Sequence, residues 1–191
     1  MRWMRLCLLV LLTGCWSQGQ EPPGDPVGTF DAAGLLVEQT CGEAIPAPDP
    51  IDLTFELRAE AAGRAYWQRV GGSVFAGVHK DGEYVFQVSQ SWTVHEPDPF
   101  LGYAGCSVTQ HDEFTFVVEE ASTAADAGSD DASDGDAGVP SSMTLTGSQT
   151  TEITPVTGSD CMPAVVSGGG SFLSLPCRVE YVLTGTGELI P

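Results

Sequence analysis

The chain has 191 residues, 26 of them Asp or Glu against 7 Lys or Arg, for a formal net charge of −19 at neutral pH. That acidity excludes nucleic-acid binding and electrostatic docking to anionic lipid headgroups, both of which need clustered Lys and Arg. With 42% hydrophobic and only 17% charged residues, the chain holds the side chains of a core and suits one domain with tails.

Met1–Arg5 is a short basic head, and Leu6–Leu12 is an apolar run broken only by Cys7. The run is too short to span a bilayer, which takes ~20 apolar residues. Residues 1–14 therefore read as a secretion signal. The ending Leu12-Thr13-Gly14-Cys15 resembles the lipobox of bacterial lipoproteins. The resemblance implies cleavage by signal peptidase II before Cys15, which becomes an N-terminus carrying acyl chains such as palmitate. Each buried methylene then contributes ~0.8 kcal/mol to anchoring. Without Arg2 and Arg5, five basic residues remain against 26 acidic ones, a net −21, so lipid rather than charge has to hold the protein at a membrane. Trp16 stands where the Gram-negative families this resembles carry Asp to retain a lipoprotein in the inner membrane. Its presence points to the outer membrane, on either the periplasmic or the surface face.

Residues 15–28 are expected to form a lipidated, Pro- and Gly-rich tether, followed by a single β-domain over 29–191. Eight strands read in succession. Thr29–Thr40 is the first. Ile51–Glu60 sets Ile51, Leu53, Phe55, Leu57 and Ala59 against Asp52, Thr54, Glu56, Arg58 and Glu60, the alternation of a half-buried strand. Arg64–Val70 and Val74–Lys80 follow, and Asp81-Gly82 makes a two-residue hairpin turn into Glu83–His95. Cys106–Glu119 has Val108, Phe114, Phe116 and Val118 on one face. Ala121–Pro140 is a low-complexity Ala/Ser/Asp/Gly segment, expected to be a disordered acidic loop. Its aspartates lack the spacing of a calcium-binding EF-hand. Met143–Pro155 and Cys177–Leu189 complete the set.

The fold class is thus all-β, an eight-stranded antiparallel up-and-down meander. Closure into a barrel removes both exposed edges by pairing strand one with strand eight. Gly185 and Gly187 would then relieve crowding where the sheet curls, or else mark ordinary fraying near the C-terminus. The layout resembles the calycin group, the lipocalins and avidins, and Gly28-Thr29-Phe30 resembles the Gly-x-Trp opening of lipocalins with Phe in place of Trp. A two-sheet β-sandwich is the alternative.

Setting aside Cys7 and Cys15 leaves Cys41, Cys106, Cys161 and Cys177, an even number that implies two disulfides in an exported chain. No two are close enough for a zinc-binding Cys-x-x-Cys, so no metal is expected. In the meander all four fall at one end, with the tether and the acidic loop at the other. Strand adjacency favours Cys41–Cys177 with Cys106–Cys161; Cys161–Cys177 with Cys41–Cys106 is the other arrangement considered.

Catalytic motifs are missing: there is no Gly-x-Ser-x-Gly elbow, His-Glu-x-x-His or Gly-rich phosphate loop. His79, His95 and His111 stand apart as rim or surface residues, and Asp112 and Glu113 point to opposite faces. Neither enzyme activity nor a cofactor is expected. On the inward faces, however, Gln90, Gln110, Asp112 and Gln149 interrupt the apolar pattern, with Trp92 and Tyr181 on the same faces. Buried polar groups need partners. Those partners come from a small ligand in a cavity, from a self-satisfied network, or from a bulge or wet sandwich edge that turns the groups outward. The sequence thus suggests a non-enzymatic envelope lipoprotein serving as an interaction or structural module. The alternatives are a calycin-like carrier of a small apolar or amphipathic ligand, and a periplasmic inhibitor of a basic enzyme.

Overall fold

The structure, a computed structural model, describes residues 22–69, 72–100, 102–120 and 142–189. The signal segment, Cys15, the first part of the tether to residue 21 and the acidic loop 121–140 lie outside the described residues. The strands are β1 (Asp25–Gln39), β2 (Ile51–Ala59), β3 (Arg64–Arg69), β4 (Val74–Lys80), β5 (Glu83–His95), β6 (Cys106–Glu120), β7 (Ser142–Pro155) and β8 (Cys177–Glu188). Each pairs antiparallel with the next, and β1 pairs with β8 from Thr29↔Glu188 to Gln39↔Val179, so the sheet is a closed barrel. Closure gives every strand two neighbours, which the sandwich does not.

Two details differ from expectation. β1 begins at Asp25, inside the segment expected to be tether. A register shift between Pro26 and Gly28 accommodates the proline in the strand, and Val27 packs against the core. The connection from β7 to β8 holds two single 3-10 turns, Met162–Ala164 and Val166–Gly168. The expected Asp81-Gly82 turn is present, with φ of 54° and 83°, the left-handed pair that matches strand twist.

The outward faces carry mainly Ser, Thr, Asp and Glu, with Leu35, Val37, Val78 and Val182 exposed among them, and the inward faces are apolar except at Gln90, Gln110, Asp112, Gln149 and Thr151. At the end where β1 begins, the interior is filled by aromatic rings. Phe55 lies at the centre, with Phe30, Trp67 and Phe116 each at 5.6–5.7 Å between ring centroids. Phe86 and Tyr84 stack on Phe116 at 5.7 and 5.6 Å. Leu57, Leu145 and Leu183 close the remaining space, all buried.

An eight-stranded barrel has just enough room for its own side chains. Here the rings fit because glycine stands directly across the ladder from three of them: Phe30↔Gly187, Phe116↔Gly147 and Gly77↔Phe86. A Cβ on Gly187 would meet the Phe30 ring at 2.5 Å, and one on Gly77 the Phe86 ring at 2.5 Å. At Gly147 a Cβ would collide with the Thr115 carbonyl and lie 2.6 Å from the Phe116 Cβ. Gly185, also expected at the seam, lies against Ala32 in the same way, at 2.8 Å. Overpacking a filled core costs about 1–3 kcal/mol. Gly147→Val and Gly187→Val are therefore expected to lower stability in chemical denaturation by at least that much. Phe55→Ala is expected to cost ~3–5 kcal/mol through the cavity it leaves. A valine variant as stable as wild type would show that the glycines do not seat the rings.

Candidate functional site

The wall of the barrel is uneven because β3 and β4 have only 6 and 7 residues against 13 in β5 and 15 in β6. β4 pairs with β5 only from Gly77↔Phe86 to Lys80↔Glu83. From Gln87 onward β5 is bonded to β6 alone. β2 likewise pairs with β3 only from Phe55 to Ala59, leaving Ile51–Thr54 without that neighbour. The wall is complete around the aromatic half and notched between β2 and β5 at the cysteine end.

The six inward residues singled out from the sequence all lie in this cysteine-end half. Three of them join one chain of hydrogen bonds. Gln90 Nε2 donates to Gln110 Oε1 at 3.4 Å, and Gln110 Nε2 donates to Asp112 Oδ2 at 2.6 Å. Thr151, not foreseen, closes the chain by donating from its hydroxyl to Asp112 Oδ1 at 2.6 Å. The cross-strand pairs Gln90↔Gln110, Asp112↔Thr151 and Gln149↔Tyr181 show a staircase of three successive rows rather than one row of the ladder. Gln149 is not joined to the others: among the described residues its buried Oε1 has no hydrogen-bond partner. Trp92 is half-buried against the core and Gln90 is exposed at the notch. Tyr181 is buried, and its hydroxyl donates to the Pro48 carbonyl at 2.9 Å, tying β8 to the loop after β1. Burial first, and then the nearby Asp49 charge, raises its pKa above the usual tyrosine value.

The cysteine end is capped on the side away from the notch. Cys41–Cys177 joins the end of β1 to the start of β8 across 136 residues, and Cys106–Cys161 joins β6 to the loop after β7 across 55. This is the pairing that strand adjacency favours. Restricting the unfolded chain this way stabilises by roughly 2–5 kcal/mol per bridge. Phe172 is buried beneath this cap, and Leu173 N donates to the Cys41 carbonyl at 3.0 Å. Gln39 reaches into it, accepting from Cys41 N at 2.7 Å and donating to the Ile45 carbonyl at 2.9 Å.

His79 and His111 are engaged locally. His79 Nε2 lies 2.9 Å from the Glu60 carbonyl with its ring stacked on Tyr84, and His111 Nδ1 lies 2.8 Å from Ser89 Oγ on the outer face. Asp112 faces inward, whereas Glu113 faces outward and accepts from Gln87 at 2.6 Å. Among the described residues no three His, Cys, Asp or Glu side chains converge on one point. Two open concavities lie on the outer wall. One of about 600 Å³ covers Asp31, Ala33, Asp52, Thr54, Thr184 and Thr186. The other, about 410 Å³, surrounds Arg178. There Arg178 bonds Glu180 at 2.9 Å and Glu152 at 3.0 Å and lies 3.5 Å from Glu38, bridging β7, β8 and β1. The Glu180 hydrogen bond raises its pKa further. Sequence reasoning missed this cluster because its members are surface residues from three separate segments.

No family model matches the chain, and neither a curated protein nor a solved structure matches it.

Among the described residues, Thr151 supplies the only hydroxyl bonded to the inward Asp112 carboxylate. Thr151→Val keeps its shape and removes that donor, and is expected to cost ~1–3 kcal/mol in a denaturant titration. Gln90→Ala, at an exposed position, is expected to change stability by less than ~0.5 kcal/mol. Equal effects of the two substitutions would show that the polar chain does not stiffen this half.

Proposed function

We propose that the chain is a non-enzymatic envelope lipoprotein. Cys15 carries the lipid at the outer membrane, and the disulfide-bonded barrel serves as an interaction module. The observation that carries this reading is the polarity of the barrel. β1 starts at the aromatic-filled end, immediately after the tether, while both disulfides stiffen the opposite end. The end next to the anchor has its interior taken up by rings, and the end away from it holds the notch and the half-exposed groups. The disulfides are consistent with an exported, non-cytoplasmic protein. Within the barrel, Gln90, Gln110, Asp112 and Thr151 bond one another, which supports a structural use for them.

A carrier of a small amphipathic ligand is the second reading. It is favoured by the unpartnered Gln149 Oε1, an acceptor that a ligand's donor would satisfy. The third reading, an inhibitor of a basic enzyme, rests on the charge of −21 alone.

The anchoring test is direct. Cys15→Ser is expected to abolish metabolic labelling with palmitate and to release the protein from the membrane fraction. Label that persists on the variant would contradict the lipoprotein reading.

A further inference from the structure

We infer that the open edge of β5 is an interface between two copies of this chain, paired antiparallel about a two-fold axis at Gln90. The starting observation is the backbone. From Gln87 onward every second residue of β5 aims its N–H and C=O away from β6, and among the described residues none of them has a backbone partner on that side. An unpaired strand edge is a template for another strand. Natural proteins blunt such edges with Lys, Pro or inward charges, and Gln87–Thr93 has none of these.

The edge is also held straight. On its outer face Gln87 bonds Glu113, Ser89 bonds His111, Ser91 bonds Thr109 and Thr93 bonds Ser107, four successive rungs onto β6 at 2.6–3.3 Å. The free length is bounded at both ends. β4 takes the edge as far as Phe86, and a register shift between Thr93 and His95 turns the strand at the other end. Seven residues are left.

Those seven residues point to the occupant, because Gln-Val-Ser-Gln-Ser-Trp-Thr has a polar and apolar pattern symmetric about Gln90, with Ser89-Gln90-Ser91 at its centre. Antiparallel pairing centred on Gln90 sets Ser89 opposite Ser91 and Val88 opposite Trp92 of the second copy. It also sets Gln87 opposite Thr93, and Gln90 opposite its own counterpart. Each is a like-with-like pair of the kind that stabilises a sheet, and the two-fold makes each non-central pair occur twice. Charge points the same way. Tyr84–His95 contains no Asp or Glu, so two strongly acidic barrels meet there without opposing carboxylates in the paired strands. A seven-residue ladder is a small interface, and confinement of both copies to one surface would raise their effective concentration. The antiparallel arrangement places the two tethers at opposite ends, so an anchored dimer lies along the membrane. The pairing itself needs no lipid, and its test is independent of the anchor's.

The test uses single cysteines in the full chain with Cys7 and Cys15 replaced by Ser, purified and treated with a mild oxidant. Gln90→Cys puts the two introduced residues directly opposite, with Cβ atoms ~5 Å apart, and is expected to give a predominant disulfide-linked dimer on non-reducing gels. Ser89→Cys alone, with its counterpart on the diagonal at ~7 Å, is expected to stay largely monomeric, and Ser89→Cys with Ser91→Cys to link again. Sedimentation velocity gives a second readout without cross-linking. Ser89→Lys with Ser91→Lys opposes like charges and should abolish the dimer, whereas Ser89→Lys with Ser91→Glu opposes unlike charges and should keep it. A monomeric Gln90→Cys, equal linking by Ser89→Cys, or linkage only to a different protein would each overturn the proposal.

Discussion

Phe55 is the ring on which the barrel is built, and its surroundings depend on residues that have no side chain. Phe30 reaches it with its ring against Gly187 across the ladder, Phe86 joins the stack with its ring against Gly77, and Gly147 leaves room for the backbone and Cβ of Phe116. Aromatic side chains bury much area but need room in the wall opposite. Glycine supplies that room at some cost in backbone entropy. Gly187 on β8 pairs with Phe30 on β1, so at this point filling the core and closing the seam are one event.

The other half of the barrel is built differently. β3 and β4 stop short, and the wall opens between β2 and β5. Rings cannot fill a space with a missing side, and polar groups take their place. Gln110 and Asp112 are tolerated on inward faces because Thr151 and Gln90 complete their hydrogen bonds and because water reaches Gln90 at the notch. Val108, Ile153, Val179 and Phe172 are buried in this half, and two disulfides and the Arg178 cluster on the outer seam reinforce them. Isolated surface ion pairs contribute little. This one bridges three strands at the closing point, and three glutamates would face one another without it.

Much of this was legible in the residues. The alternation in Ile51–Ala59 and the Asp81-Gly82 turn follow from local rules, period two and positive φ, that the closed barrel leaves intact. Strand adjacency in the closed meander favoured the observed cysteine pairing, with one other arrangement left open until the barrel was seen. The start of β1 at Asp25 was hidden because Pro and Gly signal a linker unless a bulge places them. The notch was hidden too, since the length of a strand says nothing of where its neighbour stops pairing. Gly185 and Gly187 were noticed for the seam, but Gly77 and Gly147 gain meaning only once the register puts a ring opposite. Gln90, Gln110 and Asp112 were found as breaks in a pattern. Thr151, whose hydroxyl completes their network, looked like any strand threonine.

The central claim is that glycine seats in the wall hold the rings that fill the tether half. The most direct measurement is the proton NMR spectrum of the folded chain. The α protons of Gly187 and Gly77 should show strong cross-relaxation to the Phe30 and Phe86 rings and clear ring-current displacement from ordinary glycine positions. Glycine α protons at ordinary positions, with no ring contacts, would contradict the account.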